Sequence, residues 1–318
     1  MAAPKSRLNR VQPTLGHSSR LALIGGALLV LAYTALWWLV RYDPGLLDRL
    51  WFLPGIGVVG AIIANASGTG GGVVFVPVFN AMRELGTMGL DPIEVVAVSM
   101  GIQAFGMSLG GLRWTDRLYH QHPPRGLEAR TLPRDYWMVS GAVLAVSLPA
   151  MLATQRLLAF DAQTVLLGYK TFSVFLGLAL IVATWTINRE ASERTEISRI
   201  DLAALMLIAV PGGAITALFS VGIGELVAFY LFLRHYPMVL CVGTACVISA
   251  VSCIAGLIWH IDAGTVQWEV VMLAAPGAMI GAFLARPIAL WLGARRLKTA
   301  GGAWIVLSAC YLVWLNWS

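Results

Sequence analysis

Long apolar blocks follow one another along this chain with only short polar connectors between them, and two of the blocks are interrupted by glycine. The blocks occupy residues 21–40, 51–82, 92–112, 136–153, 168–187, 202–233, 237–259, 266–285 and 299–317. A run of about 18 or more apolar residues is long enough to cross a hydrocarbon layer of roughly 30 Å as a helix. Only 12% of the residues are charged and 58% are hydrophobic, where a soluble domain has about a quarter charged. These proportions exclude one large soluble fold and predict an all-α integral membrane protein. The formal charge of +6 comes from basic residues scattered through the connectors. That pattern points to a bilayer and not to nucleic acid.

The basic residues Lys5, Arg7, Arg10 and Arg20 precede the block 21–40. This block is longer than the core of a signal peptide and ends in Trp37-Trp38 without a small-x-small cleavage site. It therefore reads as a retained helix with a cytoplasmic N-terminus. The four cysteines, Cys241, Cys246, Cys253 and Cys310, lie in apolar stretches without CxxC spacing. They read as packed free thiols. The histidines, His17, His120, His122, His235 and His260, fall in connectors or at block boundaries. There is no HExxH or paired-Asp motif, so no metal, cofactor or catalytic residue is expected.

The first broken block contains Ala64-Asn65-Ala66-Ser67-Gly68-Thr69-Gly70-Gly71-Gly72. The second contains Pro211-Gly212-Gly213 and then Ser220-Val221-Gly222-Ile223-Gly224-Glu225. Each is too long for one span, so each is either a broken crossing or a re-entrant hairpin. The positive-inside rule separates the two. With hairpins, the cytoplasmic side holds Lys5, Arg7, Arg10, Arg20, Arg113, Arg117, Arg125, Arg130, Arg134, Arg189, Arg194, Arg199, Arg234, Arg286, Arg295, Arg296 and Lys298. The other side holds Arg41, Arg49, Arg83, Arg156 and Lys170, a split of 17 to 5. Full crossings reduce the split to 12 to 10. The sequence thus predicts seven spanning helices plus two glycine-broken re-entrant hairpins.

The two halves align. Pro92-Ile93-Glu94-Val95-Val96-Ala97-Val98-Ser99 falls on Pro237-Met238-Val239-Leu240-Cys241-Val242-Gly243-Thr244. Gly111 to Trp114 falls on Gly256 to Trp259, Lys170-Thr171 on Lys298-Thr299, and Gly68-x-Gly70 on Gly222-x-Gly224. The predicted division is an N-terminus and extra helix at 1–50, one unit at 51–187 and a second at 188–318. Each unit is a hairpin plus three spans. An odd number of spans makes the second unit enter from the opposite face, giving an inverted repeat of the kind found in secondary transporters.

Irregular backbone at membrane depth is tolerated only inside protein or beside a water-filled cavity. A half-helix that starts there aims free N–H groups and a partial positive charge at its surroundings, which suits a small anion. The candidate binding residues are Asn65, Ser67, Gly68, Thr69, Gly70, Gly71, Gly72, Ser99, Gln103, Ser220, Gly222, Gly224 and Thr244. Ser99 and Thr244 are counterparts in the two halves, and Gln103 lies one turn beyond Ser99 on the same face. Hydroxyls in membranes also bond backbone carbonyls or join helices, so a structural role stands beside the functional one. Glu225 is an acidic residue deep within an apolar block, either a proton-coupling group or a partner of backbone N–H groups. Glu94 reads as a charge at a helix start, Lys170 and Lys298 as snorkelling residues, and Arg234-His235 and Arg286-Pro287 as boundary residues.

The run Gly68-Thr69-Gly70-Gly71-Gly72 with Pro77, the Pro92…Ala97-Val98-Ser99 stretch, Gly222-Ile223-Gly224 and Val242-Gly243-Thr244 resemble the sulfite exporter TauE/SafE family of membrane permeases, also called the toluene-sulfonate uptake type. The resemblance covers about residues 51–317. The second copy departs from the pattern: Glu225 and Leu226 replace two glycines, and Leu231 stands where Pro77 would be. The resemblance implies a permease for a small anion, such as sulfite or an organosulfonate, in the bacterial inner membrane. It leaves direction, coupling ion and oligomeric state open. A membrane assembly or chaperone subunit for a redox complex is the alternative, and an intramembrane enzyme a weaker one. A single cysteine placed between residues 113 and 134 should be labelled only from the cytoplasmic side; labelling from the periplasm would rule the hairpin topology out.

Overall fold

The computed structural model describes residues 20–121, 128–157, 168, 171, 174–175, 178, 182 and 192–315. The described helices are α1 (Arg20–Leu39), α2 (Pro44–Arg49), α3 (Leu53–Ser67), α4 (Gly72–Glu84), α5 (Pro92–Tyr119), α6 (Pro133–Leu157), α7 (Arg199–Phe219), α8 (Ile223–Leu233), α9 (Met238–Asp262) and α10 (Trp268–Leu315). No strand occurs among the described residues. Local chemistry sets the helix starts. Pro92 opens α5 behind a capping box in which the Glu94 carboxylate accepts from the Asp91 N–H at 2.8 Å. Ser198 caps α7 by accepting from the Asp201 N–H at 3.0 Å.

Among the described residues, six helices are long and apolar enough to cross a membrane. They are α1, α5, α6, α7, α9 and the part of α10 from Trp268 to Leu292. The sequence predicts seven. Of the span expected at 168–187 only residues 168, 171, 174–175, 178 and 182 are described, and Lys170 lies outside the described residues. The spans expected at 266–285 and 299–317 are joined by helical turns within α10, and neither Pro276 nor Pro287 ends it. The path of α10 nevertheless folds back. Gly281 lies against Val58 and Ala61 of α3, while the Trp304 indole donates to the Val73 carbonyl at 3.3 Å. A straight helix would carry Trp304 roughly 35 Å beyond Gly281.

Three further expectations change. The long connector expected at 113–134 is shorter, because α5 continues through Arg113 and Arg117 to Tyr119. The stretch 41–50, read as a connector, contains α2, which Pro44 and an Asp43 cap stabilise. Arg286 is not a boundary residue, whereas His260 does stand at the end of its helix. Arg286 lies within α10 and donates to the Asp116 carboxylate at 3.0 Å and the Arg113 carbonyl at 3.1 Å, and His260 is buried in the last turn of α9.

Side-by-side contacts give the helix directions. Gly101 faces Val271 and Gly106 faces Ala278, so α5 and α10 run the same way. Gly57 faces Ala274 and Gly281 faces Val58, so α3 runs with them. Gly111 faces Val247 whereas Gly256 faces Met100, so α9 runs opposite to α5. Gly25 against Leu112 and Tyr33 against Phe105 place α1 opposite to α5 as well. The pair α3–α4 starts near the end where α5 starts, and the connector 85–91 joins it to α5 there. The pair α7–α8 is closed at the other end by Asp201. This carboxylate, fully buried in the first turn of α7, accepts from Tyr230 (2.7 Å), Arg234 (2.7 Å), Tyr236 (2.6 Å), Ser198 (2.8 Å) and Arg194 (3.1 Å). Removing a partner from such a buried charge is strongly destabilising.

Within a bilayer, helices gain little from mutual apolar burial, and close packing over small residues replaces it. The α3–α10 seam is made this way. A Cβ on Gly277 would stand 2.0 Å from the Pro54 carbonyl oxygen, and one on Gly57 would stand 2.2 Å from that of Ala274. Gly213 meets the Ser147 carbonyl in the α6–α7 seam at 2.3 Å by the same measure. Gly277→Val should therefore destabilise the protein by about 1–3 kcal/mol through overpacking, read as a lower melting temperature in detergent. Gly141→Ala, where a Cβ meets nothing within 4 Å, should leave the melting temperature nearly unchanged.

Candidate functional site

Both broken blocks stop at a residue in the left-handed region. α3 ends at Gly68 with φ of 76°, and its N–H donates to the Ala64 carbonyl. α7 ends at Ser220 with φ of 57°, and its N–H donates to the Thr216 carbonyl. For a residue other than glycine this conformation costs roughly 1–2 kcal/mol, and it persists where surrounding contacts over-determine it. Two residues on, Gly222 has φ of 153°, and a Cβ there would stand 2.9 Å from the Gly212 carbonyl oxygen. Only glycine fits.

The two breaks meet. A Cβ on Gly72 would stand 2.3 Å from the Ser220 carbonyl oxygen, so the two backbones touch. Gln103, near the middle of α5, joins them. Its Oε1 accepts from the Gly71 N–H at 2.6 Å, which fixes the orientation of the amide. Its Nε2 faces the Ser220 hydroxyl at 2.7 Å, the Ser220 carbonyl at 3.1 Å and the Ser99 hydroxyl at 3.2 Å, donating toward all three. Gln103, Ser99 and Ser220 are all buried. One side chain thus holds α5, the first break and the second break together.

Glu225 sits beside this junction, in the first turn of α8. Its Oε2 accepts from the Gly222 N–H at 2.7 Å. Its Oε1 has no hydrogen-bond partner and lies 2.7 Å from the position of a Cβ on Gly70. The residue is 3% exposed. The junction therefore combines an unpartnered buried carboxyl oxygen with the starts of two helices, α4 and α8. The first N–H groups of a helix lack intrahelical acceptors, and no side chain caps the start of α4.

The other expected site residues divide. Gly70, Gly71, Gly72, Ser99, Gln103, Ser220, Gly222 and Glu225 come together. Gly68 packs instead against Val242 and Ala245 of α9. Ser67 and Thr69 bond each other at 2.6 Å, and Ser67 also donates to the Ile63 carbonyl. Asn65 donates to the Ala61 carbonyl at 2.9 Å, and its Oδ1 faces Gly110, away from the junction. Thr244 donates to the Leu240 carbonyl at 2.6 Å, the local bonding open to any hydroxyl on a helix. Gly224 faces Ser249 of α9.

Three residues near the junction escape the sequence reading. Ser249 fills the space against Gly224. Thr216 donates to the Gly212 carbonyl and accepts from the Ile223 N–H at 2.9 Å, which satisfies the start of α8. The Cys253 thiol lies beside Ser220 and Glu225. Alignment of the halves places Ser249 one residue beyond the counterpart of Gln103, and that was the available signal. Among the described residues, no group of three or more His, Cys, Asp or Glu gathers as metal ligands.

Gln103→Leu keeps the volume of the side chain but leaves the Gly71 N–H and the Ser220 groups unpartnered. An unsatisfied buried group costs about 1–3 kcal/mol, so this variant should melt well below the parent protein in detergent. An unchanged melting temperature would mean that the breaks hold together without the amide.

The family model described as sulfite exporter TauE/SafE matches residues 53–312. No curated protein and no solved structure matches the chain. The match takes in both breaks, α5, α9 and most of α10, and omits α1 and α2. Together with the six membrane-length helices it makes this a multi-pass membrane protein, and the chain belongs to the sulfite exporter TauE/SafE family of membrane transporters.

Proposed function

We propose that the protein is a secondary transporter that moves a small sulfur-containing anion, such as sulfite or an organosulfonate, across the bacterial inner membrane. The observation that carries this reading is the junction itself, where two helix starts and the Gln103 amide meet at mid-helix depth. A helix start offers free N–H groups and a partial positive charge to an anion. Backbone at Gly70, which faces the Glu225 carboxyl oxygen, lets the ligand approach closely, and the Ser99 and Ser220 hydroxyls supply further donors.

In this reading α3–α4 and α7–α8 are re-entrant hairpins of two inverted units, 51–187 and 188–318, and the N-terminus is cytoplasmic. Reciprocal contacts support the inversion. Gly111 packs on Val247, and its counterpart Gly256 packs on Met100, two residues from Ile102, the counterpart of Val247, as an approximate two-fold relation between antiparallel helices gives. The exchanged seams α3–α10 and α6–α7 fit the same relation. The alternating-access movement then rocks one unit against the other around a fixed junction.

Glu225 couples the anion to a proton. Two unit charges 4 Å apart repel by about 4 kcal/mol at an effective dielectric constant of 20. A bound anion and an ionised Glu225 therefore disfavour each other, whereas the protonated carboxyl donates toward the anion through the oxygen that now lacks a partner. Loading is favoured on the more acidic side.

Radiolabelled sulfite flux in proteoliposomes tests the transport reading. Flux should rise as the loading side is acidified, and Glu225→Gln should abolish that pH dependence. If no small anion moves and none raises the melting temperature, the transport reading falls. An unchanged pH profile in Glu225→Gln would leave Glu225 a structural partner of the Gly222 N–H.

A further inference from the structure

One face of α9 carries a second set of polar and small side chains that leads away from the junction. Ser249, Ser252, Cys253, Gly256 and His260 fall within about a 100° arc of the helix. Their neighbours mark the course of this face. Ser249 lies against Gly224, Cys253 beside Ser220, and Gly256 against Met100 of α5 and Gln155 of α6. His260 is in the last turn, roughly 16 Å along the axis from Ser249. Val251, Ile254, Ile258 and Ile261 occupy the opposite, exposed face.

Small residues alone would only make a tight seam. The hydrogen bonding says more. Ser252 Oγ, Gln155 Oε1 and His260 Nε2 are each buried without a partner. Ser252 is 1% exposed, Gln155 8% and His260 1%. Gln155 is aimed into the face, since its Nε2 donates to the Gly256 carbonyl at 3.3 Å. Orphaned buried polar atoms are rare, and each costs about 1–3 kcal/mol unless water or a ligand reaches it. With Glu225 Oε1 they form a series running from the junction toward the Asp262 end of α9. Met100 packs on this face, with its Sδ 2.8 Å from where a Cβ on Gly256 would be. Methionine is unbranched and readily changes rotamer.

We propose that this face of α9, with Gln155 and Met100, is one half of the hydrated route by which a small oxyanion passes between the junction and the Asp262 end of the protein, Met100 closing it in the conformation described. This rests on the transport reading above. Ser252, Gln155 and His260 replace part of the hydration shell of the anion and of the water that accompanies it, and Met100 swings aside when the units rock.

The test uses the full chain in proteoliposomes with an anionic, membrane-impermeant methanethiosulfonate on both faces. Adducts are read by mass spectrometry, and radiolabelled sulfite flux is read before and after treatment. Native Cys253 and an introduced Ser252→Cys should form adducts at least ten-fold faster than Ile258→Cys on the opposite face. Modification should cut flux at least ten-fold. Should Ser252→Cys fail to fold, Gln155→Cys takes its place. Sulfite flux without faster labelling at these positions, or labelling that leaves flux intact, overturns the route and leaves the transport reading standing. Absence of sulfite flux in the untreated parent chain overturns both.

Discussion

The Gln103 carboxamide is the group around which both chain breaks are arranged. Its oxygen accepts from the Gly71 N–H of the first break, and its nitrogen donates to the strained Ser220 at the second. An amide suits this place because it donates and accepts at once without carrying charge. In a low-dielectric interior such bonds are strong, and their loss is correspondingly expensive. The close approach of Gly72 to the Ser220 carbonyl, the left-handed turn at Ser220 and the position of α8 all follow from both breaks being held on one residue of α5.

Around that centre the protein uses two different means of cohesion. Within the apolar bundle it relies on glycine, which brings α3 onto α10 and α6 onto α7 at backbone contact distance. At the ends, where charge can be solvated, it relies on buried carboxylates with several donors each. Asp201 closes the α7–α8 pair through Tyr230, Arg234 and Tyr236, and Asp116 ties α5 to α10 through Arg286.

Much of the architecture was legible in the sequence because a bilayer imposes few solutions: apolar length, short connectors and charge asymmetry largely dictate helices and their order. The capping role of Glu94 followed from its place behind Pro92. Of the residues that the sequence singles out, only some meet at the junction. Ser99 and Thr244 are counterparts in the alignment, yet Ser99 reaches the Gln103 amide while Thr244 bonds the carbonyl one turn behind it. A hydroxyl on a helix always has that local alternative, and only the distance to a neighbouring helix decides which bond forms. Ser249 and Cys253 read as ordinary small residues until packing set them beside Gly224 and Glu225.

The sequence by itself determined that this is an α-helical membrane protein with two glycine-interrupted blocks, since apolar run length and glycine placement are properties of the chain alone. Tertiary structure decided that the two interruptions touch and that Gln103 joins them. It decided that Asn65 points elsewhere and that α10 is one helical run folded back on itself. Those outcomes depend on how helices distant in sequence approach one another. That approach is governed by backbone contact at a few glycines, which a linear reading can mark but not pair.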